Sequence, residues 1–238
     1  MKENKEENND NEVEVKKVEI PKIKIVVIGD HSTGKTSFID KICTNEFNKQ
    51  VETTINTKIN YYNYNNDKDN YIFEFNDLGG QDYNIVINKI ILKNINAIIY
   101  CCSPDQEESL DNISKWNEVC LNTIASVENL PKFIVINKCD LEKKFEESDI
   151  KKVKNKIAKK YYYVSAKYNI FKKEDSKQIE LNEFVDDLLK NIDNLDNVKE
   201  VLNESGVDLG LDLNRKNSDA NSQNSQQKRE GDSNKCNC

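Results

Sequence analysis

The stretch VVIGDHSTGKTSF, Val26 to Phe38, decides the fold of this 238-residue chain. Three apolar residues of strand type, Val26 to Ile28, precede a glycine-containing loop, and Lys35 and Thr36 open a segment with helical spacing. Residues 29–36 match the pattern GxxxxGK[ST] in the strand–loop–helix context that the pattern requires. In such a loop, backbone N–H groups and the helix N-terminus surround an anion. The sequence therefore predicts a phosphate-binding loop, and a glycine turn without a ligand is the alternative.

Composition narrows the class of protein. The net charge is -7, so no basic stripe is expected and we predict no nucleic-acid partner. Apolar runs such as AIIYCC (97–102) are far short of the roughly 20 residues of a membrane-spanning helix. The first 17 residues lack the apolar segment of a secretory signal, and Lys2 excludes the N-myristoyl pattern. We expect a soluble, cytosolic body that acts as a monomer.

Apolar runs of strand length alternate with segments of helical spacing, which predicts an α/β fold with a mostly parallel sheet. The polar loop NNDKDN between the second and third runs indicates an antiparallel hairpin. Helices are predicted from Thr36, around residues 110–120, and over residues 181–192. The six predicted strands are KIKIVVI (22–28), KINYYNY (58–64), YIFEF (71–75), AIIYCC (97–102), KFIVIN (132–137) and YYYVS (161–165).

Three regions are predicted along the chain. Residues 1–20 form a charged extension, residues 21–195 a nucleotide-binding domain, and residues 196–238 a hydrophilic, flexible tail. Five of the seven cysteines fall among apolar or helical positions of the body, where we expect buried free thiols. The other two, Cys236 and Cys238, lie in the tail, where no core can bury them.

The motif NDLGGQD (76–82) follows the predicted strand YIFEF. Asp77 is placed to hold Mg²⁺ through water, and the N–H of Gly80 can donate to a γ-phosphate. Gln81 lies where it could orient an attacking water molecule. Taken singly, the motif is also compatible with an ordinary turn.

Two further motifs end the last two predicted strands, KFIVIN and YYYVS, and each in isolation could be a short turn. In NKCD (137–140), Asp140 can accept hydrogen bonds from the N1–H and the exocyclic amine of guanine, a donor pair that adenine lacks. Asn137 can bond the base and brace the phosphate loop, while the Lys138 stem can lie on the base plane. SAK (165–167) places a backbone amide near the guanine carbonyl.

Together these motifs resemble those of the Ras superfamily of small GTPases, and of its Rab branch in particular, over about residues 22–193. Thr54 stands at the spacing from Lys35 of the family's first-switch threonine, a Mg²⁺ ligand in the triphosphate form. Phe47 falls where Rab proteins place an aromatic residue that stacks on guanine. The run IIYCCSPDQEESLDNISKWNEV (98–119) resembles a Rab stretch that also contains tryptophan.

The resemblance implies a three-layer P-loop small-GTPase fold, with a six-stranded, mostly parallel sheet, one antiparallel edge strand and about five helices. It implies a switch that binds GTP, GDP and Mg²⁺ and hydrolyses GTP slowly. The implied catalytic residues are Gln81, Lys35 and Thr54, and the implied metal ligands are Thr36, Thr54 and, through water, Asp77. The nucleotide-binding residues that the motifs and the resemblance indicate are Gly29, Asp30, His31, Ser32, Thr33, Gly34, Lys35, Thr36, Ser37, Phe47, Thr54, Asp77, Gly80, Asn137, Lys138, Asp140, Ser165, Ala166 and Lys167.

The tail ends in Cys-x-Cys, which in the Rab branch receives two geranylgeranyl groups. Position 235 is lysine, so a CaaX signal is excluded. Residues 201–238 carry five Lys or Arg against six Asp or Glu, so no polybasic patch supplies a second anchor and two lipids are needed. A metal or redox pair is the alternative for Cys236 and Cys238.

The resemblance to Rab proteins also implies a location and a set of partners. The location is the cytosol and the cytoplasmic face of an intracellular membrane, in vesicle trafficking. The implied partners are an exchange factor, an activating protein, effectors, a prenylation escort and a chaperone like the GDP-dissociation inhibitor.

Several positions depart from the Rab pattern. The only arginines, Arg215 and Arg229, lie in the tail, so no arginine acts in cis and intrinsic hydrolysis should be slow. His31 adds bulk beside the γ-phosphate; it is either a solvent-exposed loop residue or an impediment to hydrolysis. Asn76 and Asp82 replace the usual Trp and Glu on surfaces that effectors read.

Two alternatives to the switch remain open at this point. One is a nucleotide-locked, hydrolysis-deficient GTP-binding scaffold, and the other is a P-loop kinase or ATPase, which NKCD disfavours.

Overall fold

The computed structural model describes residues 20–54, 57–66, 70–80 and 89–192. The predicted N-terminal extension, Gln81, Asp82, the tail and its Cys236 and Cys238 lie outside the described residues.

Eight strands form one mixed sheet within the described residues. The strands are β1 (Lys22–Ile28), β2 (Lys58–Asn65), β3 (Asn70–Asp77), β4 (Ala97–Cys102), β5 (Lys132–Ile136), β6 (Lys160–Ser165), β7 (Ile170–Lys172) and β8 (Gln178–Ile179). Their order in the sheet is β2-β3-β1-β4-β5-β6-β7-β8.

The middle of the sheet is parallel and its margins are antiparallel. Strand β1 pairs in parallel with β3 and β4, and the parallel ladder continues through β5 to β6. The edge strand β2 pairs antiparallel with β3, and β7 and β8 extend the other side antiparallel. The carboxyl ends of β1, β3, β4, β5 and β6 therefore lie at one edge, where the loops that follow them meet.

Five α-helices in the described residues cover the sheet. They are α1 (Lys35–Thr44), α2 (Lys89–Leu92), α3 (Glu108–Thr123), α4 (Glu147–Ile157) and α5 (Leu181–Lys190), and a 3₁₀ helix spans Ala125–Asn129. Because successive strand residues point to opposite faces, Ile25 and Val27 enter one core with α1 and α5. Val26 and Ile28 enter the other core with α3 and Ile150 of α4. The result is three layers, helix–sheet–helix.

The predicted fold class is confirmed, but the predicted strand number was too low. All six predicted strands and the antiparallel hairpin are present, with ends shifted by a few residues. Strands β7 and β8 were missed because three and two residues are too short to carry an alternating pattern. Helix α1 begins at Lys35, one residue earlier than predicted.

The five body cysteines are free, as predicted. Cys101, Cys102 and Cys120 are buried, whereas Cys43 and Cys139 are only half-buried. None of the helices in the described ranges has the length and apolar character needed to cross a bilayer.

Phe184 of α5 is the hub of an aromatic cluster in the first core. Its ring lies 4.9 Å from Tyr162, 5.2 Å from Phe171 and 6.0 Å from Phe38, measured between centroids, and it is fully buried. It thereby joins α5, β6, β7 and α1.

We expect Phe184→Ala to lower the free energy of unfolding by about 3–5 kcal/mol, because it removes apolar burial and leaves a cavity among rigid rings. Urea unfolding monitored by circular dichroism measures this loss. The control Tyr168→Ala removes a ring that is 56% exposed and should change stability by less than about 0.5 kcal/mol. Equal effects of the two substitutions would contradict the assignment of Phe184 to the core.

Candidate functional site

The phosphate loop, residues 29–34, connects β1 to α1 at the carboxyl edge of the sheet. The ammonium of Lys35 donates to the backbone oxygens of Gly29 at 2.9 Å and Asp30 at 2.7 Å, so the loop folds around the lysine. The Lys35 side chain is buried, and burial lowers its pKa, although the thiol of Cys101 and the carboxylate of Asp77 oppose that shift. A buried cation inside a loop of backbone amides is an arrangement that favours an anion.

Two glycines permit close approaches to this loop. Gly34 has φ +84°, and a Cβ there would lie 2.4 Å from Nδ2 of Asn137. A Cβ on Gly80 would lie 2.5 Å from the backbone of Asp30 and His31. The loops after β3 and β5 therefore contact the phosphate loop directly, and any side chain at either glycine would push them apart.

Thr36, Thr54 and Asp77 converge on one point beside Lys35. The Thr36 hydroxyl donates to Oδ2 of Asp77 at 2.6 Å and lies 3.0 Å from the Thr54 hydroxyl, which is itself 3.5 Å from the same carboxylate oxygen. These residues come from α1, the segment before β2 and the end of β3. The structure thus assembles the three predicted metal ligands from three separate parts of the chain.

The chemistry of this cluster fits a magnesium ion. Its donors are all oxygens, which hard cations prefer. Asp77 is fully buried, and its Oδ1 atom is a buried oxygen with no hydrogen-bond donor in the described structure. Burial raises the pKa of the Asp77 carboxyl group, so a cation beside Oδ1 would relieve the cost of its charge. No group of three or more His, Cys, Asp or Glu side chains suited to a metal occurs in the described ranges, so hydroxyls complete this site.

Asn137 links the NKCD and SAK loops to the phosphate loop. Its side-chain amide donates to the backbone oxygens of Thr33 at 3.1 Å and Gly34 at 2.9 Å, and its Oδ1 accepts from the backbone N–H of Ala166 at 3.5 Å. The Asn137 side chain is almost fully buried. One amide therefore joins the phosphate loop, the NKCD loop and the SAK loop.

Asp140 and Ser165 hold the NKCD and SAK loops together. The Ser165 hydroxyl donates to Oδ1 of Asp140 at 2.5 Å and accepts from the backbone N–H of Tyr168 at 3.3 Å. Lys138 adopts φ +55° and its ammonium lies 3.5 Å from a carboxylate oxygen of Asp105. The exposed Asp140 is thus oriented by a buried serine.

A cavity of about 410 Å³ runs from the phosphate loop to Asp140. Phe47 lies at its wall with 39% of its surface exposed. The predicted site residues that line the cavity are His31, Ser32, Gly34, Lys35, Thr36, Ser37, Phe47, Thr54, Gly80, Asn137, Lys138, Asp140, Ser165, Ala166 and Lys167. Four others, Gly29, Asp30, Thr33 and Asp77, are not among the residues that line the cavity, and Gln81 lies outside the described residues.

Sequence reasoning missed three side chains that support the loop from behind. The indole N–H of Trp116 and the amide of Asn112 each donate to the Asp30 carboxylate at 2.7 Å. The thiol of Cys101 donates to the Thr33 backbone oxygen at 3.6 Å. Trp116 lies in the segment predicted to be helical, and no local signal indicates its partner 86 residues away.

Known proteins match this chain over the region that contains the site. The profile of the Ras family matches residues 24–182. The chain belongs to the Ras family. Its relatives include the mouse Ras-related protein Rab-33A, 27% identical over 130 residues (54% of each chain), and mouse Ras-related protein Rab-21, 27% identical over 157 residues (61% of this chain, 66% of the relative). The match spans about half to two thirds of these relatives, and it confirms the predicted likeness to the Rab branch.

We expect Asn137→Ala to destabilise this Ras-family chain by about 1–3 kcal/mol even without a ligand, because two backbone carbonyls of the phosphate loop lose their donor and the N–H of Ala166 loses its acceptor. Chemical unfolding measures the loss. The matched control is Asn182→Ala, which removes an exposed asparagine that accepts one hydrogen bond from Tyr62. If both alanine variants unfold at the same denaturant concentration as the parent chain, the bracing role of Asn137 is wrong.

Proposed function

We propose that the chain is a Rab-like GTP/GDP switch, which binds guanine nucleotides with Mg²⁺ and hydrolyses GTP slowly. One observation carries the proposal: a single cavity is lined at one end by Lys35, Thr36 and Thr54, whose hydroxyls contact Asp77, and at the other by Asp140, and Asn137 braces the two ends. Membership of the Ras family supports GTPase activity in general.

At the phosphate end, Lys35 and the backbone of residues 29–36 would bind the β- and γ-phosphates. The Thr36 and Thr54 hydroxyls would hold Mg²⁺, with Asp77 acting through water; the ion would neutralise phosphate charge. The backbone N–H of Gly80 would contact the γ-phosphate, which explains the need for a glycine that approaches the phosphate loop. The remaining loop residues, including Ser32, Thr33 and Ser37, would shape the cradle.

At the base end, the Asp140 carboxylate would accept two hydrogen bonds from guanine, and Asn137 would contact the purine ring. The ring would lie between Phe47 and the Lys138 stem, with Ala166 supplying a backbone N–H. Guanine selectivity depends on Asp140, because adenine presents no matching pair of donors.

Asp140→Asn should reduce GDP binding at least about tenfold and shift selectivity towards xanthine nucleotides, since an amide donor now faces the position of the guanine amine. Competition of GDP, XDP and ADP against labelled GDP, with Mg²⁺ present, measures the shift. Glu142→Gln is the matched control: it removes the same charge from an exposed residue that does not line the cavity. Unchanged base selectivity in Asp140→Asn would refute the proposed role of Asp140.

Hydrolysis would use Gln81 to orient water and Thr54 and Lys35 to hold the γ-phosphate. Residues 20–192 contain no arginine, so none of these could supply the guanidinium that stabilises the transition-state charge. We therefore propose slow intrinsic turnover and an activating protein that supplies an arginine.

A second candidate function is a nucleotide-locked scaffold that retains GTP. The observation that favours it concerns His31, which is exposed, lines the cavity and follows a residue whose carbonyl accepts from Lys35. An imidazole at this position would occupy the space through which an activating arginine reaches the γ-phosphate. The switch and the locked scaffold differ in the rate of GTP hydrolysis and not in nucleotide binding.

His31→Ser should raise the rate of activator-stimulated GTP hydrolysis by about tenfold or more, because the imidazole no longer blocks the activating arginine. Such an arginine increases the rate of hydrolysis by a factor of about 10³–10⁵. Single-turnover assays of both proteins, alone and with a purified Rab-directed activating protein, measure the change. Lys49→Ser, which alters an exposed cavity residue in another loop, is the control and should leave the stimulated rate unaltered. Efficient stimulation of the unaltered chain would exclude the locked scaffold.

We extend the proposal to membranes. Prenyl groups on Cys236 and Cys238 would attach the chain to the cytoplasmic face of an intracellular membrane, where its GTP form would recruit effectors in vesicle trafficking. An exchange factor, a prenylation escort and a GDP-dissociation-inhibitor-like chaperone complete the proposed partners.

A further inference from the structure

Asp30, the second residue of the phosphate loop, presents its side chain to helix α3 and not to the cavity. Its Oδ1 accepts from the Trp116 indole N–H at 2.7 Å, and its Oδ2 accepts from the Asn112 amide at 2.7 Å. Trp116 is 1% exposed and Asn112 is 9% exposed. Both oxygens of one carboxylate are thus bound by neutral donors on one helix.

The backbone of the same residue organises the loop. The Asp30 carbonyl oxygen accepts from the Lys35 ammonium at 2.7 Å and from the Thr33 hydroxyl at 2.9 Å. The side chain of Asp30 therefore fixes the loop to α3, while its main chain orients the lysine that faces the phosphates. Helix α3 itself contributes no lining residue to the cavity.

The negative charge of Asp30 explains why the orientation of its side chain matters. A carboxylate in a loop that receives an anion would repel the ligand if it turned towards the cavity. Hydrogen bonds to a charged acceptor are roughly twice as strong as those between neutral groups, so two short bonds hold the charge in its outward orientation.

We propose that Trp116 and Asn112 are positioning residues that determine how long the loop retains nucleotide, acting through Asp30. This inference rests on the proposed binding of guanine nucleotides. It assigns to α3, a helix outside the cavity, control over the rate of nucleotide release.

The test is the dissociation rate of tritium-labelled GDP from the full chain, chased with excess unlabelled GDP in Mg²⁺. Trp116→Phe should accelerate release by about tenfold, since one hydrogen bond to a charged group is lost. Asn112→Ala should act in the same direction and serves as the second variant if Trp116→Phe folds poorly. Asp30→Asn should also accelerate release, and Trp116→Phe combined with Asp30→Asn should release GDP no faster than the faster single variant, because both act on one contact.

Tyr100→Phe is the matched control. The Tyr100 hydroxyl donates to Oδ1 of Asn117 at 3.0 Å, so this variant also removes a buried hydrogen bond to α3, but one that does not reach Asp30. Its GDP release should remain within twofold of the parent chain. Melting temperatures of all variants, measured in parallel, separate loss of stability from loss of positioning.

Three results would overturn the inference: release from Trp116→Phe and Asn112→Ala within twofold of the parent chain, equal acceleration by Tyr100→Phe, or multiplied effects in the double variant. Each presupposes that the parent chain binds GDP. If the parent chain binds no guanine nucleotide, the proposed function fails and this inference fails with it, whereas normal binding with unaltered variants overturns the inference alone.

Discussion

The parallel register of β3, β1, β4, β5 and β6 is the constraint on which the site depends. The carboxyl ends of parallel strands lie at a common edge of the sheet. The loops that follow these strands are far apart in sequence, but they meet at that edge. The register brings Val27 beside Asp77, Ile28 beside Tyr100, and Cys102 beside Ile136. A slip of one residue would separate the phosphate loop from Asp77 and Asn137 together.

The sequence predicted much of this arrangement because its signals are local. The phosphate loop, the strands before Asp77 and Asn137, and the hairpin each lie within a short window where apolar spacing and glycine positions suffice. Strands β7 and β8 escaped prediction because pairing with β6, and not their own few residues, makes them strands. The contact of Trp116 with Asp30 was not predicted, because hydrogen bonds between side chains far apart in sequence leave no periodic pattern.

Burial at the site favours ligand binding over stability. Lys35 and Asp77 both lie where burial disfavours their charged forms, and Asp77 keeps one oxygen without a donor in the described structure. These features cost stability, and a bound phosphate and cation would offset that cost. Asn137 and the Asp30 carboxylate, by contrast, have the hydrogen-bond partners of well-packed structural groups. The site therefore combines hydrogen-bonded structural groups with buried charged groups that would favour a phosphate and a cation.

The proposed function requires that one cavity select a guanine nucleotide together with a magnesium ion. The most direct test is to incubate the purified chain with equal concentrations of GTP, GDP, ATP and ADP in Mg²⁺, remove free nucleotide by gel filtration, and identify what a denatured sample releases by chromatography. We expect about one guanine nucleotide per chain, no adenine nucleotide, and loss of the bound nucleotide when EDTA is added, since Thr36, Thr54 and Asp77 would hold a cation that neutralises phosphate charge. Retention of adenine nucleotides, or of none, would contradict it.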